Sequence, residues 1–422
     1  RFDDGMTARG LARLPQEVQD LLRELDTLGK RCGGLHAASG TLPSGGGESV
    51  RLAVLSIILA SKNLPEALPQ ATYPEIAALG YAVTDAPSRK GWREAPGGAA
   101  LVYSHERANL QVRFTLPTQG TLEAPAAPDL WALLQSAGGV DTYLLAQVGA
   151  YLALRETQVT ITLDDLIRLI GWQPRSTKER ESMRGAVWQR LKVIDGLTIH
   201  GLRPGRYSDP DTGQAIDLTS QDALFRITGT RLPAQGSFDP EQVPLEVTFV
   251  AGPFIDTHRG NPQVLTWFGD FLPIAGIPGE KPSGAWARSV GLALNQCWRM
   301  QAARAQVTHP GEDNALTVRT RPFTRRELLT LFEPSPTAAD VLEGPNPARA
   351  RTYWRDAIKR LELAGVIGYY KEAAAKLPRY GWADVWLGVK LDIRPGLEWQ
   401  EQMAAIAEAA KRAQKRRKRK RT

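Results

Sequence analysis

One ordered pattern occurs twice in this chain: a capping threonine, a short apolar helix, a long helix, a glycine and a strand. In the first copy Thr162 is the cap, and Asp165 follows three residues later as its capping-box partner. In the second copy Thr324 is the cap and Glu327 is its partner. The two caps are 162 residues apart (324 − 162 = 162). A repeat this long predicts two homologous domains rather than a solenoid.

The elements after each cap also correspond. The apolar residues of the short helix are Leu166, Ile167, Leu169 and Ile170 in the first copy and Leu328, Leu329, Leu331 and Phe332 in the second. Long helices are predicted from about Thr177 to Val193 and from about Ala348 to Ala364. Gly196 and Gly365 are expected to end them, before strands at 197–201 and 366–370.

Each long helix has an apolar face and a polar, cationic face. Trp354, Ala357, Ile358 and Leu361 share one face of the second helix, and Met183, Val187, Leu191 and Ile194 share one face of the first. A helix that buries one face and leads directly into a strand can present its other face to the DNA major groove. The alternative for either helix taken alone is an ordinary surface helix with solvated charges.

The positive charge of the chain is concentrated in a few places. The net charge is +8, and residues 411–421 alone carry nine Lys or Arg, which leaves 8 − 9 = −1 for the rest. Residues 175–206 hold eight Lys or Arg against three acids, a local charge of 8 − 3 = +5, and residues 347–379 hold the same numbers. Two equal cationic patches on two matching units indicate a nucleic-acid surface. The tail is expected to bind phosphate without sequence preference.

Residues on the cationic faces, and in the loops predicted to form wings after each long helix, are the expected DNA contacts. In the first copy they are Arg175, Lys178, Ser182, Arg184, Gln189, Lys192, Arg203 and Arg206. In the second copy they are Arg349, Thr352, Arg355, Lys359, Arg360, Lys371 and Arg379.

Other classes of function lack their motifs. No phosphate-binding G-x-x-x-x-G-K-[ST] loop is present, the five histidines are isolated, and Cys32 and Cys297 match no zinc pattern. We therefore expect no catalytic residues, no metal and no cofactor. Asp209 and Asp211 leave open a primase or nuclease carboxylate pair, although Pro210 and Gly213 favour a hairpin turn there. The absence of a long apolar run, of a signal pattern and of a disulfide framework predicts a cytoplasmic protein associated with the nucleoid or a plasmid.

These patterns predict an α+β protein with two tandem winged-helix domains. The expected organisation is an N-terminal helix and flexible linker (1–48), a small α/β segment (49–128), a first winged-helix domain (129–245), a second (246–396), and a terminal helix with a disordered basic tail (397–422). Leucines at heptad spacing within residues 11–28 are consistent with a dimerising zipper or with a helix docked on a domain.

The chain resembles the iteron-binding replication initiators of bacterial plasmids over about residues 130–395. Thr162–Gly201 and Phe323–Tyr370 carry this resemblance. It implies that the two domains bind one directly repeated origin site in successive major grooves, with Lys178–Lys192 and Arg349–Arg360 as recognition helices. It also implies monomers that open the origin and recruit the host helicase or its loader, and homodimers that repress transcription.

The segment at 49–117, the insertion at 201–245 and the basic tail depart from that family. Two further alternatives stay open beside the carboxylate pair. One is a transcriptional or phage-type regulator with the same DNA-binding units, and the other is a structural protein whose tandem winged helices bind protein.

Overall fold

A computed structural model describes residues 74–105, 110–116, 126–200, 203–208, 215–218, 223–233, 242–257, 259, 262–302, 304–308 and 317–419. All of them belong to one compact unit, residues 65–422. The predicted N-terminal helix and linker (1–48), with its leucines at heptad spacing, and the Asp209–Asp211 pair lie outside the described residues. The described chain mixes helices and sheets, in agreement with the expected α+β class.

The N-terminal elements form a small α/β layer, as the sequence predicts. Helix α1 (Pro74–Asp85) and a 3-10 turn (Ala86–Ser88) precede strands β1 (Trp92–Glu94), β2 (Leu101–His105) and β3 (Leu110–Phe114). A fourth strand, β5 (Leu197–His200), joins β3 in antiparallel register, with Phe114 opposite Leu197. The sheet order among the described strands is therefore β1-β2-β3-β5. The strand that follows the first long helix thus completes this sheet.

The first repeated unit begins after helix α2 (Ala127–Ala137). It consists of α3 (Val140–Arg155), β4 (Gln158–Thr162), α4 (Leu163–Leu169), α5 (Thr177–Gly196), β8 (Phe225–Arg231) and β9 (Glu246–Ala251). The described strands of this unit pair in the order β4-β9-β8. Thr162 Oγ1 accepts the backbone N–H of Asp165 at 3.1 Å, which confirms the predicted cap. Strand β9 follows residue 245, so this unit continues beyond the boundary expected from the sequence.

The first unit carries an insertion between β5 and β8. Strands β6 (Arg203–Ser208) and β7 (Ala215–Leu218) pair with each other as a separate hairpin. The sequence predicts a wing in the residues after α5. The structure has a pair of strands there, and these strands do not join the sheet of the first unit.

Three short helices connect the two units: α6 (Pro253–Thr257), α7 (Pro262–Gly269) and α8 (Leu272–Ala275). The second unit consists of α9 (Pro282–Ala302), β12 (Phe323–Thr324), α10 (Arg325–Leu331), α12 (Arg349–Leu363), β13 (Ile367–Glu372) and β14 (Lys390–Pro395). Strands β10 (Gln306–Thr308) and β11 (Thr317–Arg319) and helix α11 (Ala338–Glu343) are additions to it. Its described strands pair in the order β12-β14-β13, which is the order of the first unit.

The predicted caps of the second unit are present. Thr324 Oγ1 accepts the N–H of Glu327 at 3.2 Å. Helix α12 ends as expected at Gly365, whose φ of 71° lies in the left-handed region. The N–H of Val366 then donates to Leu361 O, and that of Gly365 donates to Glu362 O, which satisfies two carbonyls of the last turn.

Two predictions near the C-terminus are wrong. The apolar run at residues 385–391 predicts a strand, but these residues form the end of helix α13 (Trp382–Gly388) and the start of β14. Trp382 and Trp386, four residues apart, pack edge to face with 6.0 Å between their rings on one helical face, an arrangement that a strand would break.

The expected disordered tail is the end of helix α14 (Leu397–Arg419). Trp399 fixes the first turns of α14 by packing edge-on against Trp298 of α9, with 5.4 Å between the rings. Lys, Arg, Gln and Ala are good helix formers, and adding residues to an existing helix is easier than starting one.

Arg288 of α9 joins the two units. Its side chain is fully buried and pairs with Asp141 at the start of α3. It also donates to the backbone carbonyls of Ile170, Ala275 and Ile277. Asp141 and the carbonyl of Ile170 belong to the first unit, and the carbonyls of Ala275 and Ile277 belong to the connection between the units. One guanidinium of the second unit therefore binds acceptors in both.

Two backbone segments, at Gly171 and at Gly276, lie very close together beside Arg288. A Cβ on Gly171 would lie 2.4 Å from the carbonyl oxygen of Gly276, and Gly171 has φ 68°. Further along the same interface, the ring of Phe332 stacks on Tyr81 of α1 at 5.6 Å and on Tyr143 of α3 at 6.1 Å. The N-terminal layer and both units therefore share one apolar core.

We predict that Arg288→Met lowers the free energy of unfolding by about 3 kcal/mol or more, because it leaves buried acceptors without a donor. Chemical denaturation of the full chain measures this change. Arg168→Met is the matched control, since Arg168 is 70% exposed and pairs only with its neighbour Asp165. We expect the control to change stability by less than about 0.5 kcal/mol. Equal effects of the two substitutions would contradict the role assigned to Arg288.

A second prediction concerns Asp195, which accepts the N–H of Ile227 at 2.9 Å and so joins the end of α5 to β8. Burial raises the pKa of this carboxyl, and the bond from Ile227 and the charge of Arg226 oppose that effect. An acid with a raised folded-state pKa loses stability when it ionises, so this cost is full at pH values above the raised pKa. Asp195→Asn keeps an acceptor and removes the charge.

We therefore expect Asp195→Asn to be more stable than the native chain at neutral pH. The gain should shrink as the pH falls through the raised pKa and should be absent below the ordinary value of 3.8, where Asp195 is protonated in both the folded and the unfolded chain. Denaturation midpoints measured across that pH range check the prediction. A constant difference at every pH would show that the charge of Asp195 is not its source.

Candidate nucleic-acid interface

Helix α12 has one buried face and one exposed cationic face, as predicted. Ala350, Trp354, Ala357, Ile358 and Leu361 are buried. On the opposite side Arg349, Arg351, Thr352, Arg355 and Lys359 are exposed, and we call these five residues the α12 face. Arg360, also predicted as a contact, is half-buried in the last turn, where its charge suits the negative end of the helix.

The N-terminus of α12 is unusually cationic. Its first turn has no acidic residue and no side-chain cap, and it begins with Arg349 followed by Arg351. Cations at the positive end of a helix lower its stability by a few tenths of a kcal/mol each, whereas an anion placed there is stabilised. This charge distribution suits a surface that binds phosphate. The corresponding turn of α5 differs, since Ser176 caps it and Glu179 lies within it.

A buried arginine holds this helix against the strand that follows it. Arg325 of α10 is 1% exposed, and its guanidinium lies 5.3 Å from the Trp354 ring centroid and 4.8 Å from that of Trp386. It pairs with Glu372 of β13 and donates to Trp386 O at 2.8 Å. The Tyr370 hydroxyl accepts from Trp354 Nε1 at 2.8 Å and donates to Glu372. Helices α10, α12 and α13 and strand β13 are thus joined around one cation.

The electrostatics of this cluster favour ionised Glu372. Burial acts to raise the pKa of Glu372, but the hydrogen bonds from Arg325 and Tyr370 outweigh it and lower that pKa. Burial, assisted by the bond to Glu372, raises the pKa of Tyr370. The cluster therefore keeps a carboxylate, a guanidinium and a neutral phenol at neutral pH, which is a stable set of partners.

The segment from Ala373 to Gly381, which connects β13 to α13, is the second-unit wing of the sequence analysis. Lys371, at the end of β13, and Lys376 and Arg379, within the wing, are exposed. Helix α13 returns the chain to α12, because the guanidinium of Arg351 lies 4.0 Å from the Trp382 ring centroid. The wing and the first turn of α12 therefore form one continuous cationic surface.

The reading surface of the first unit is smaller than predicted. Arg175, Lys178 and Ser182 are exposed, and all three lie before or within the first two turns of α5. From Met183 to Lys192, however, every side chain is buried or half-buried. Val243, which precedes β9, contributes to this cover, since its Cγ2 lies 3.8 Å from the position of a Cβ on Gly185. The exposed residues of α5 are therefore confined to its N-terminal turns.

Three residues of α5 that are predicted to contact DNA are paired or partly covered within the protein. Arg184 binds Asp164 of α4 through two hydrogen bonds, with Arg184 Nε 2.8 Å from Asp164 Oδ1. These bonds hold the pKa of the Asp164 carboxyl below its usual value. Gln189 is half-buried, and the half-buried Lys192 ammonium lies 5.9 Å from the Trp188 ring centroid. In this structure Arg184 holds α4 against α5 instead of being free for DNA.

The sheet topology also moves the wing of the first unit. Arg203 and Arg206 lie on β6, in the inserted hairpin, and their side chains are outside the described residues. By strand order, the hairpin that matches β13–β14 is β8–β9. Arg231 at the end of β8 pairs with Glu246 at 3.1 Å. The residues between β8 and β9 therefore correspond in strand order to those between β13 and β14, whereas the sequence predicts the first wing directly after α5.

Arg351 and Arg325 are not among the site residues that the sequence predicts. Arg351 belongs to the α12 face, and a helical wheel places it next to the predicted contacts. Arg325 follows the Thr324 cap directly, at a position where a surface residue is expected, and its burial depends on Trp386, 61 residues later.

Membrane-spanning helices and metal-binding clusters are both absent from the residues that the structure describes. None of the helices that the structure describes has both the length and the apolar character needed to cross a bilayer. The same residues hold no group of three or more His, Cys, Asp or Glu side chains placed to bind a metal ion.

Comparisons with known proteins give two distant structural likenesses. One is a crystal structure of domains 2 and 3 of RctB, with 12% identity, a TM-score of 0.36, and coverage of 72% of this chain and 91% of that chain. The other is a crystal structure of RctB residues 155–483, with 14% identity, a TM-score of 0.36, and coverage of 75% and 95%. TM-scores at this level do not establish a shared fold. No protein-family model and no curated protein sequence matches the chain.

We predict that the double substitution Arg355→Ala and Lys359→Ala weakens binding to duplex DNA and lowers the slope of log affinity against log salt by about 2, since each phosphate contact contributes about 0.9. Fluorescence anisotropy over a salt series measures both quantities. The matched control removes two exposed arginines outside the α12 face, Arg304 and Arg319, and its slope should stay near that of the native chain. An equal loss in both variants would indicate a general charge effect.

Proposed function

We propose that the chain is a sequence-specific double-stranded DNA-binding protein built on two winged-helix units. The observation that carries this proposal is a repeated topology in which the second copy exposes a cationic helix. Each unit runs helix, strand, helix, helix, strand, strand, and in each the first strand pairs with the last. In a helix-turn-helix unit the second helix of the pair enters the major groove, which assigns α5 and α12 as reading helices.

The shared core supports simultaneous use of both units. Arg288 and the stack of Tyr81, Phe332 and Tyr143 hold the units against one another, so the reading helices are not joined by a loose linker. A fixed pair of helices suits one DNA site that spans two successive major grooves. Such a site covers about two helical turns, or ~20 base pairs.

The two reading helices are expected to contribute unequally. Helix α12 offers five exposed polar or cationic residues along its length, whereas α5 exposes such residues only near its N-terminus. The second unit should therefore supply most of the affinity and the longer base-reading surface. The first unit should add a shorter contact through Arg175, Lys178 and Ser182.

Within this class, we propose that the protein is a plasmid replication initiator that binds direct repeats at an origin and promotes opening of the neighbouring duplex. The resemblance of Thr162–Gly201 and Phe323–Tyr370 to iteron-binding initiators supports this narrower role. Opening would draw on DNA-binding energy, since smooth bending of a 20–30 base-pair site costs of the order of 1–6 kcal/mol. A replicative helicase or its loader, and a second copy of the chain, are the partners that this role implies.

Selection of bound duplexes from a random pool tests the first part of the proposal. We expect enrichment of a site with two contacted segments about one helical turn apart, repeated in direct orientation when several copies bind. The Arg355→Ala, Lys359→Ala variant serves as the control and should enrich sites with a weaker preference in one segment. Enrichment of no sequence at all would exclude sequence-specific binding and favour a protein-binding role for the units.

Permanganate footprinting of a supercoiled plasmid that carries the selected site tests origin opening. With the purified protein alone, we expect reactive thymines next to the site, because permanganate attacks unpaired thymine. Protection of the site without any reactive thymine nearby would contradict the initiator and favour a transcriptional regulator. Product formation that requires a divalent metal and is abolished by Asp211→Ala would instead favour the primase or nuclease.

A further inference from the structure

The wing of the second unit ends in an exposed aromatic side chain. Tyr380 is 80% exposed, and the guanidinium carbon of Arg379 lies 5.5 Å from its ring centroid. We call these two residues the wing-tip stack. By contrast, Tyr369 on β13, before the wing, is 37% exposed, and the guanidinium of Arg394 lies over its ring. The Tyr380 ring is therefore about twice as exposed as that of Tyr369.

A rigid element presents the wing-tip stack. Helix α13 begins two residues after Tyr380, and its first residue, Trp382, lies under Arg351 and against Trp386. Trp386 is buried, and Asp384 of the same helix pairs with Arg326 at 2.7 Å. Contacts to α10 and α12 thus fix the base of the wing tip, which limits the conformational entropy that a ligand of Tyr380 would have to overcome.

The surroundings of the stack are cationic. From residue 373 to residue 383 the chain has two cations, Lys376 and Arg379, and no acid. The carboxylates on either side of this stretch are both paired, Glu372 with Arg325 and Asp384 with Arg326. A polyanion approaching the tip therefore meets positive charge beside an exposed ring.

An open aromatic face next to a guanidinium and a lysine suits a nucleobase attached to a phosphate backbone. Stacking of bases on aromatic side chains is tolerant of sequence, because every base has a π face, and arginine adds a cation–π contribution. In an intact duplex, base faces are covered by their neighbours. Side chains that wedge into intact base steps are usually fully apolar, whereas Tyr380 carries a hydroxyl.

We propose that the wing-tip stack is a binding site for an unpaired nucleobase at the edge of the DNA site. This inference rests on the proposed DNA-binding function and adds a residue to it. Tyr380 stacks on a base that is no longer paired. Arg379 lies against the other face of the tyrosine ring or binds the adjacent phosphate, and Lys376 binds the DNA backbone. The site would hold one strand of an opened segment while α12 stays on the paired segment.

The test uses the full chain and two DNA probes that share one strand, which carries the site taken from the random-pool selection. One probe is fully paired, and the other has a short mismatched bubble with 2-aminopurine next to the selected site. We expect Tyr380→Leu to weaken binding of the bubble probe about tenfold, which is within the range for loss of one stacked base. Binding of the paired probe should change less than about twofold, and protein-dependent quenching of 2-aminopurine should disappear.

Two further variants control this experiment. Tyr380→Trp keeps an aromatic face and should retain both the affinity and the quenching of the native chain. Tyr369→Leu removes the less exposed tyrosine on β13, before the wing, and should leave the preference for the bubble probe unchanged. Because Tyr380 is largely exposed, its replacement is not expected to disturb folding, and circular dichroism checks this point.

The possible failures are distinguishable. Unchanged affinity of Tyr380→Leu for the bubble probe would overturn the stacking site and leave the proposed function intact. Equal weakening for both probes would also overturn it, because the contact would then be to paired DNA. Failure of the native chain to bind either probe, or any duplex in the selection, would overturn the proposed function itself and the stacking site with it.

Discussion

A single buried guanidinium, that of Arg288, is the contact on which the arrangement of the two units depends. It satisfies the carboxylate at the start of α3 and three backbone carbonyls that would otherwise be buried without donors. A hydrophobic side chain in its place could fill the volume but could not satisfy these acceptors. The relation between α5 and α12, the long helices of the two units, rests on this contact and the aromatic stack beside it.

Arg325 has the same role within the second unit. It lies between two tryptophans and neutralises Glu372, so α12 and β13 cannot move independently without exposing a charge to an apolar environment. Buried charges of this kind are costly to maintain, and their benefit is a defined geometry. Arg288 fixes the orientation of one unit relative to the other, and Arg325 fixes the wing relative to the helix beside it.

Much of the backbone followed from local patterns. Threonine caps, apolar spacing and Gly365 depend on residues within a few positions of each other, and those predictions are confirmed for α4, α5, α10 and α12. Apart from the strand predicted at 385–391 and the disordered tail, the differences from the predictions arise from contacts between distant residues. Strand β5 pairs with β3 across 83 residues (197 − 114 = 83), Arg184 binds a carboxylate on another helix, and Val243 covers α5 from beyond an insertion. The sequence therefore predicted the long helices themselves but could not say which of their side chains stay exposed.

The pairing of β5 with β3 also makes the first unit depend on the N-terminal layer. Strand β5 directly follows α5, yet it supplies the edge of the N-terminal sheet, and its buried residues Leu197 and Ile199 face that layer. A chain that began after residue 128 would expose these residues and an unpaired backbone edge, a combination that promotes aggregation. A fragment that keeps the first unit intact therefore has to include the N-terminal layer.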